Sequence, residues 1–437
     1  MKGIGRRFPL ILLAGVLGGC DGGAEAAEGA SMQVFVGGRL IDGTGNAPIE
    51  RSVLIVQNGR IQAVGAEGSV EIPAGAARID VTGRTIVPGF INAHGHVGNV
   101  RGLEVDQYSR ENVLDQLALY ARYGVTTVVS LGDDRAEGVR IRDEQQDPAL
   151  DRARVFVAGP VLTPETPEEA ALQVQQIADL GADWAKIRVD SNLGASTAMS
   201  PAVYGAVIEE SHRRGIPVAG HLIDLEDAKG LVRAGVDFLA HSVRDQPVDD
   251  ELIALLRERR ICLSPTLTRE ISTFVYGSRP DFFDDPFFLR EADPAVMAQL
   301  EEPERQRRTR ENAGGRYWAA QLPLAKENLK TLVDAGVRVA MGTDSGPPGR
   351  FQGYFEHLEM EMMADAGLTP MQIIVSATGD AARCTGLDNE IGTLEPGKYA
   401  DFLVLGSNPL EDIRNTRTIE SVWISGNLVP ERGEGDR

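Results

Sequence analysis

The chain has 437 residues, with 44 basic and 64 acidic side chains and a formal net charge of −20. That length holds one large barrel with a smaller companion, or two to three ordinary domains. The acidic balance argues against a nucleic-acid partner, whose phosphates nothing here would neutralise, and otherwise bears on solubility.

The first stretch, "MKGIGRRFPLILLAGVLGGC", has Lys2, Arg6 and Arg7, then an apolar run, then small residues. It reads as a secretory signal peptide over residues 1–19, too short for a stable membrane anchor. Leu17-Gly18-Gly19-Cys20 resembles the lipobox of bacterial lipoproteins, which implies lipidation of Cys20; an ordinary cleaved signal is the alternative. Asp21 resembles an inner-membrane retention signal. Residues 20–32 read as a polar tether, so the expected location is the periplasmic face of a bacterial membrane, held by the lipid alone. Cys262 and Cys384 are the other cysteines. A disulfide is permitted in an exported protein, but the spacing does not require one, and buried free thiols are the expectation.

Residues 33–83 read as short strands and turns. "LIVQNGRIQAVG" sets Asn58-Gly59 between alternating apolar residues, a strong hairpin signal. Residues 388–430 look similar, with turns at Pro396-Gly397 and Gly426-Asn427. Both ends together are expected to build one small β-sandwich.

Residues 84–387 repeat a unit in which a helix-like run ends in glycine and a short apolar strand follows, as in "ARYGVTTVVSLGD", "ADLGADWAKIRVD" and "VDAGVRVAMGTDSG". Glycine there supplies the left-handed helix cap, and the alternation implies parallel strands. With "TIVPGFINAHGH", "RVFVAGPVLT", "HRRGIPVAGHL", "VRAGVDFLAHSV" and "ICLSPTLT" the count reaches eight, the number for an α/β fold of the TIM-like (β/α)8 class. An open doubly wound sheet is the rival, weakened by the lack of a glycine-rich phosphate loop. After the seventh strand, roughly residues 269–321 form an aromatic and charged insertion, longer than a connection needs. A lid over the catalytic end is the favoured reading, and an ornamental insertion the other.

Six histidines are present. His94 and His96 end the first strand, two apart and so on one face. His221 ends the fifth strand, His241 the sixth, and Asp344 the eighth. A closed barrel gathers such strand ends around one axis, and imidazoles with a carboxylate are the donors that zinc and its neighbours prefer. Singly each could be a satisfied core residue; the shared placement favours a metal site. In "ADWAKIRVD" Lys186 lies on the face opposite Ala185, Ile187 and Val189, toward the axis, where an unpaired ammonium is costly. His212 is expected at the surface near a helix end, and His357 as a packed helix residue.

"GRTIVPGFINAHGHVGN", "HSVRDQPVDDELIALLRERRICLSPTLT" and "GTLEPGKYADFLVLGSNPLEDI" resemble signatures of the amidohydrolase superfamily, over nearly everything from Val34 to Val429. The chain is most similar to its prolidase and imidazolonepropionase-like branch. The resemblance implies two divalent metal ions, with zinc the first expectation and manganese, cobalt and iron also accepted by these ligands. His94, His96 and Asp344 would hold one metal and His221 and His241 the other. Lys186 would bridge them as the carbamate formed with carbon dioxide; an unmodified lysine paired with Asp190 or Asp344 is the alternative. A hydroxide between the metals would attack the substrate carbonyl, and Asp344 would pass its proton to the leaving nitrogen. Arg188, Arg244 and Tyr276 are candidates for binding the substrate, the arginines through its carboxylate, or equally structural partners of Asp190 or Asp245. The expected activity is hydrolysis of the C–N bond of a dipeptide or N-acyl amino acid, by a chain that could be a homo-oligomer. The alternatives are opening of a cyclic amide or imidazolone-type ring, and a non-catalytic metal- or solute-binding lipoprotein. "RVDSNLG" departs from the "MATGG"-like continuation of the branch after its fourth strand, which leaves the substrate class open.

Overall fold

The computed structural model describes residues 32–432 apart from 192. The expected signal peptide, Cys20 and the tether up to its last residue lie outside the described residues. Among the described residues no helix is long and apolar enough to cross a membrane.

The chain opens with β1 (Gln33–Val36), β2 (Arg39–Leu40), β3 (Ser52–Gln57), β4 (Arg60–Ala66), β5 (Ala77–Asp80) and β6 (Thr85–Pro88). Asn58 and Gly59 both take positive φ, 53° and 74°, which makes the tight hairpin between β3 and β4.

β7 (Phe90–Gly95) begins the barrel and runs parallel to β8 (Val125–Ser130), which pairs with β9 (Arg154–Val157). β10 (Ala185–Arg188), β11 (Val218–His221), β12 (Phe238–Ala240) and β13 (Cys262–Ser264) form a second parallel run. Bridges Leu162–Ile187, Leu263–Val339 and Gly95–Ser345 join the two runs through the eighth segment and close the ring. That eighth segment is tied to β7 by Ala93 N–H donating to the Met341 carbonyl at 2.9 Å. It is not a regular strand, because Asp344 turns into the left-handed region at φ 57°.

The helices between these strands are α1 (Arg110–Arg122), α2 (Ala136–Asp143), α3 (Pro167–Leu180), α4 (Pro201–Arg213), α5 (Leu225–Ala234) and α6 (Asp250–Arg259). Gly124, Gly181, Gly215, Gly235 and Gly336 all have positive φ where a helix gives way to the next strand. Ala185, Ile187 and Val189 pack outward into a cluster with α3, α4 and α5 side chains.

The sequence reads "TIVPGFINAHGH" as one barrel strand, but the structure divides it. β6 joins the terminal sheet and only β7 enters the barrel. At Gly89 between them a Cβ would stand 2.1 Å from Thr126 Oγ1, so the backbone must pass there bare.

The insertion is helical: α7 (Leu267–Ser272), α8 (Pro286–Leu289), α9 (Pro294–Leu300), α10 (Pro303–Glu311) and the start of α11 (Ala313–Asp334). Its Tyr276, Phe283 and Phe288 share an aromatic core with Tyr123, Tyr354 and Phe355 of the barrel. There follow α12 (Tyr354–Asp365), α13 (Pro370–Ser376) and α14 (Gly379–Thr385), then β14 (Phe402–Leu405), β15 (Ile419–Ile424) and β16 (Asn427–Leu428). β14 pairs with β6, so both ends of the chain share the five-stranded sheet β16-β15-β14-β6-β2. Phe35, Leu54 and Ile61 of the four-stranded sheet β4-β3-β1-β5 pack with Ile86, Phe402 and Val404 of this one.

One expectation fails. Cys262 and Cys384 are not free thiols but form a disulfide, with Cα atoms 5.7 Å apart across 122 residues of sequence. The fold brings β13 and α14 together, a proximity that spacing along the chain does not reveal.

Candidate metal centre

His94, His96, His221, His241 and Asp344 lie at the C-terminal ends of β7, β11, β12 and the eighth segment, and Lys186 lies within β10. Donor atoms of His94, His241 and Asp344 fall within 4.8 Å of one another. His96 Nε2 stands 2.8 Å and His94 Nε2 3.8 Å from Asp344 Oδ1. The His94 and His241 rings are 4.7 Å apart, and those of His221 and His241 4.1 Å. Lys186 Nζ lies 3.1 Å from His94 Nε2, and no carboxylate lies within ion-pairing distance of it among the described residues. The six expected ligands therefore form one contiguous set.

Burial keeps three of the imidazoles in the neutral form a metal requires. It holds His94, His221 and His241 well below the usual imidazole range, helped at His94 by Lys186, at His221 by Arg188 and at His241 by His221. Burial opposes charge on His96 too, but its hydrogen bond and charge pairing with Asp344 leave it raised. Lys186 is pushed down to about 7 by burial, with Arg188 adding to the shift and Asp344 opposing it. Burial would push Asp344 up, yet Arg350 and the hydrogen bond from His96 outweigh it and hold the carboxyl well below its ordinary value. Three imidazoles held neutral, a fourth hydrogen-bonded to an ionised carboxylate, and a buried lysine with no carboxylate at ion-pairing distance among the described residues form a donor set that fits divalent metal.

The shell around the donors was not legible in the sequence. Arg350 Nη1 lies 2.6 Å from Asp344 Oδ2. His241 takes φ 90°, and its Nδ1 meets the Thr266 hydroxyl at 2.6 Å; Thr266 itself has φ 49°. Such strain persists only where the surroundings fix it. Here α12 does much of the fixing. Glu359 accepts hydrogen bonds from the backbone N–H of Leu267 and Thr268 and from the Thr268 hydroxyl, each at 2.7 Å, and so anchors the chain just past Thr266. Glu356 Oε1 accepts from Asn92 at 2.6 Å, Thr343 at 2.7 Å and Ser345 at 2.6 Å, bracketing Asp344. Asp190 Oδ2 lies 3.1 Å from His221 Nε2. Two glutamates three apart in "EHLE" are the one sequence trace of this arrangement, and on a helix they pass for surface charge.

The three substrate candidates fare differently. Arg188 sits beside the centre, half-buried, without an ion-pair partner among the described residues. Arg244 is not at the rim: it is fully buried, Nη1 donating to the Leu222 and Ser242 carbonyls at 3.0 and 2.6 Å. Its Nε lies 3.0 Å from Glu270 Oε1, and its face lies against Trp318. Tyr276 is buried too, its hydroxyl donating to the Gly349 carbonyl, so it steadies the loop that carries Arg350. His357 is a packed residue bonded to Thr416 and the Tyr123 carbonyl, and His212 is half-exposed beside Asp237.

Residues 85–429 match the model of the amidohydrolase family. The ochratoxinase of Aspergillus niger is 25% identical over 292 residues, 64% of this chain and 52% of that protein. The chain thus spans about half the length of the curated relatives it first matches. A 5-methylthioadenosine/S-adenosylhomocysteine deaminase of Symbiobacterium thermophilum is 24% identical over 85% of this chain and 84% of that one. Among solved structures, an Xaa-Pro dipeptidase superposes with a TM-score of 0.74 at 22% identity, over 91% of this chain and 99% of that one. A putative prolidase from Bifidobacterium longum gives 0.73 at 25%, over 93% and 97%. The barrel, the converging donors and the family match agree: this chain belongs to the amidohydrolase family, among prolidase-like members.

Proposed function

We propose that the protein is a metal-dependent hydrolase of amide or peptide C–N bonds, acting on dipeptides or N-acyl amino acids. The observation that carries this reading is the approach of His94, His241 and Asp344 donors to within 4.8 Å at the ends of separate strands. His94, His96 and Asp344 would hold one divalent metal, zinc in the first instance, and His221 and His241 a second. Lys186, whose pKa is pushed down to about 7 so that a large share of it is neutral there, would add carbon dioxide, lose a proton and so present a carbamate in place of a buried cation. When bound, the metals supply Lewis acidity toward the substrate carbonyl and make water acidic enough to ionise near neutral pH.

The remaining steps belong to the chain's own groups. Arg350 pins Asp344 Oδ2 and keeps the carboxylate ionised, ready to take a proton from the attacking water. Asp344 then returns that proton to the departing nitrogen, which otherwise leaves as an unstable amide anion. Arg188, which has no ion-pair partner among the described residues, is the group that would fork onto the substrate's free carboxylate. The helical insertion would act as the roof of the site.

Residues 1–19 would direct export and Cys20 would carry the lipid, at the periplasmic face of a bacterial membrane. The Cys262–Cys384 disulfide supports an oxidising compartment. The test is metal analysis by mass spectrometry followed by a panel of dipeptides, N-acyl amino acids and cyclic amides. Two metal equivalents per chain with cleavage of open amides is the expected result. Metal-free protein, or turnover of cyclic amides alone, would overturn it.

A further inference from the structure

Beside the metal centre lies a cavity of about 260 Å³ between α1, the Val100–Gly102 turn, α9 and the loop after Asp344. It is a cleft partly open to solvent, and its volume approaches the lower end of ligand pockets. Leu119, Tyr123, Phe288, Val296, Phe351 and Tyr354 form its apolar walls. These rings are held in place: Phe288 meets Phe351 and Tyr354 edge-on at 4.8 and 5.1 Å. The Tyr123 hydroxyl donates to the Phe287 and Phe288 carbonyls at 3.1 and 3.2 Å.

The polar groups in the same walls are already engaged. The Asn112 amide donates to the Gly98 and Val100 carbonyls, and Gln116 accepts from Gln352 at 2.8 Å. Arg101 pairs with Asp115 at 3.6 Å, and Glu291 with Arg122 at 2.8 Å. A charged occupant would give up its water and find few groups left to replace it. An apolar occupant meets aromatic surface and disturbs no pair.

The cavity adjoins the chemistry. Arg350 lines it and reaches Asp344, and Gln352 lines it and donates to the His96 carbonyl at 2.7 Å. A smaller cavity of about 130 Å³, lined by His96, shares Val100, Gln116, Gly346 and Pro347 with it. We propose that the larger cavity is a specificity pocket receiving an aryl or bulky branched apolar group of the substrate. This rests on the amide-hydrolase reading and narrows it to substrates bearing such a group. Binding energy gained in the pocket is realised next to Asp344 and His96, where it serves turnover as well as affinity.

Matched pairs of amides with a phenylalanyl or a glycyl residue test the idea on the full chain. The expected kcat/KM ratio is roughly 10–100 in favour of phenylalanyl, the range a well-filled apolar pocket supplies. Ala292→Phe, which places a ring in the cavity, should lower that ratio at least tenfold. Calorimetric titration of the metal-loaded protein with N-acetylphenylalanine and N-acetylglycine gives a readout without turnover, and the wild type alone suffices for it. Tighter binding of the aryl compound, reversed by Ala292→Phe, supports the pocket even if no amide is cleaved, and in that case only the hydrolase reading falls. Equal binding of the two compounds, or a kcat/KM ratio indifferent to Ala292→Phe, overturns the pocket.

Discussion

The two ends of the barrel are built from the same strands and have opposite characters. At the N-terminal end Ile91, Ala219 and Ala340 pack around Trp184 and Phe238, whose rings meet edge-on at 6.1 Å, and Cys262 is tied to Cys384. At the C-terminal end the side chains are imidazoles, carboxylates and guanidinium groups, and His241, Thr266 and Asp344 hold positive φ. Trp184, just before β10, and Lys186 within it make the point: two residues apart, the first packs in the apolar core and the second meets His94. Cohesion at one end lets the other hold charge and strain that would be costly in isolation.

If this division holds, substitutions at the mouth should change chemistry with little effect on melting, and those at the floor the reverse. Lys186→Ala is the largest test. It should abolish most activity and halve the metal content measured by mass spectrometry, while the Tm of the metal-free protein stays level or rises because a buried amine is gone. Retention of both metals would refute the bridging role. Arg188→Ala comes next: it should raise KM roughly 10–100-fold for substrates with a free carboxylate, a charge-assisted pair being worth a few kcal/mol. Esterified counterparts should be unaffected, and an equal effect on both would remove Arg188 as the clamp.

At the floor, replacing Cys262 and Cys384 together by alanine opens a loop of 122 residues. The expected cost is about 2–5 kcal/mol, read as a lower denaturation midpoint. Metal content should hold and kcat/KM stay within twofold. A loss of metal here would mean that the two ends are coupled, against the division drawn above.

The same contrast explains what the sequence discloses. Histidines at strand ends are legible because strand alternation and barrel closure place them without knowledge of any partner. The hairpin at Asn58-Gly59 and the glycine caps are legible because each is a local backbone requirement. Arg350, Glu356 and Glu359 escape notice because their meaning lies in whom they touch, and those partners come from β7, the eighth segment and the start of α7. Arg244 misleads for a related reason: a residue three past a strand-end histidine reads as rim, and the partners that bury it, Glu270 and Trp318, come from α7 and α11. The disulfide is hidden similarly, each cysteine alone looking like an ordinary buried thiol.

The smallest effect lies outside both ends, on the barrel's flank, and marks the background against which the others are read. His212, in the last turn of α4, places Nε2 2.7 Å from Asp237 Oδ2. That hydrogen bond raises the imidazole pKa, with burial partly opposing it. A folded-state pKa above the unfolded value of about 6.5 means that the charged form is favoured by folding. Its stabilisation is complete below that unfolded value and fades as pH rises through the higher folded one. Both side chains are more than a third exposed, 42% and 37%, so water and salt screen the pair and the effect is small. In denaturant titrations at a series of pH values, wild type should exceed His212→Gln by most at the acidic end, with the gap closing toward pH 8. A gap that does not vary with pH would show that folding leaves the His212 pKa unchanged, and that Asp237 does not favour its charged form.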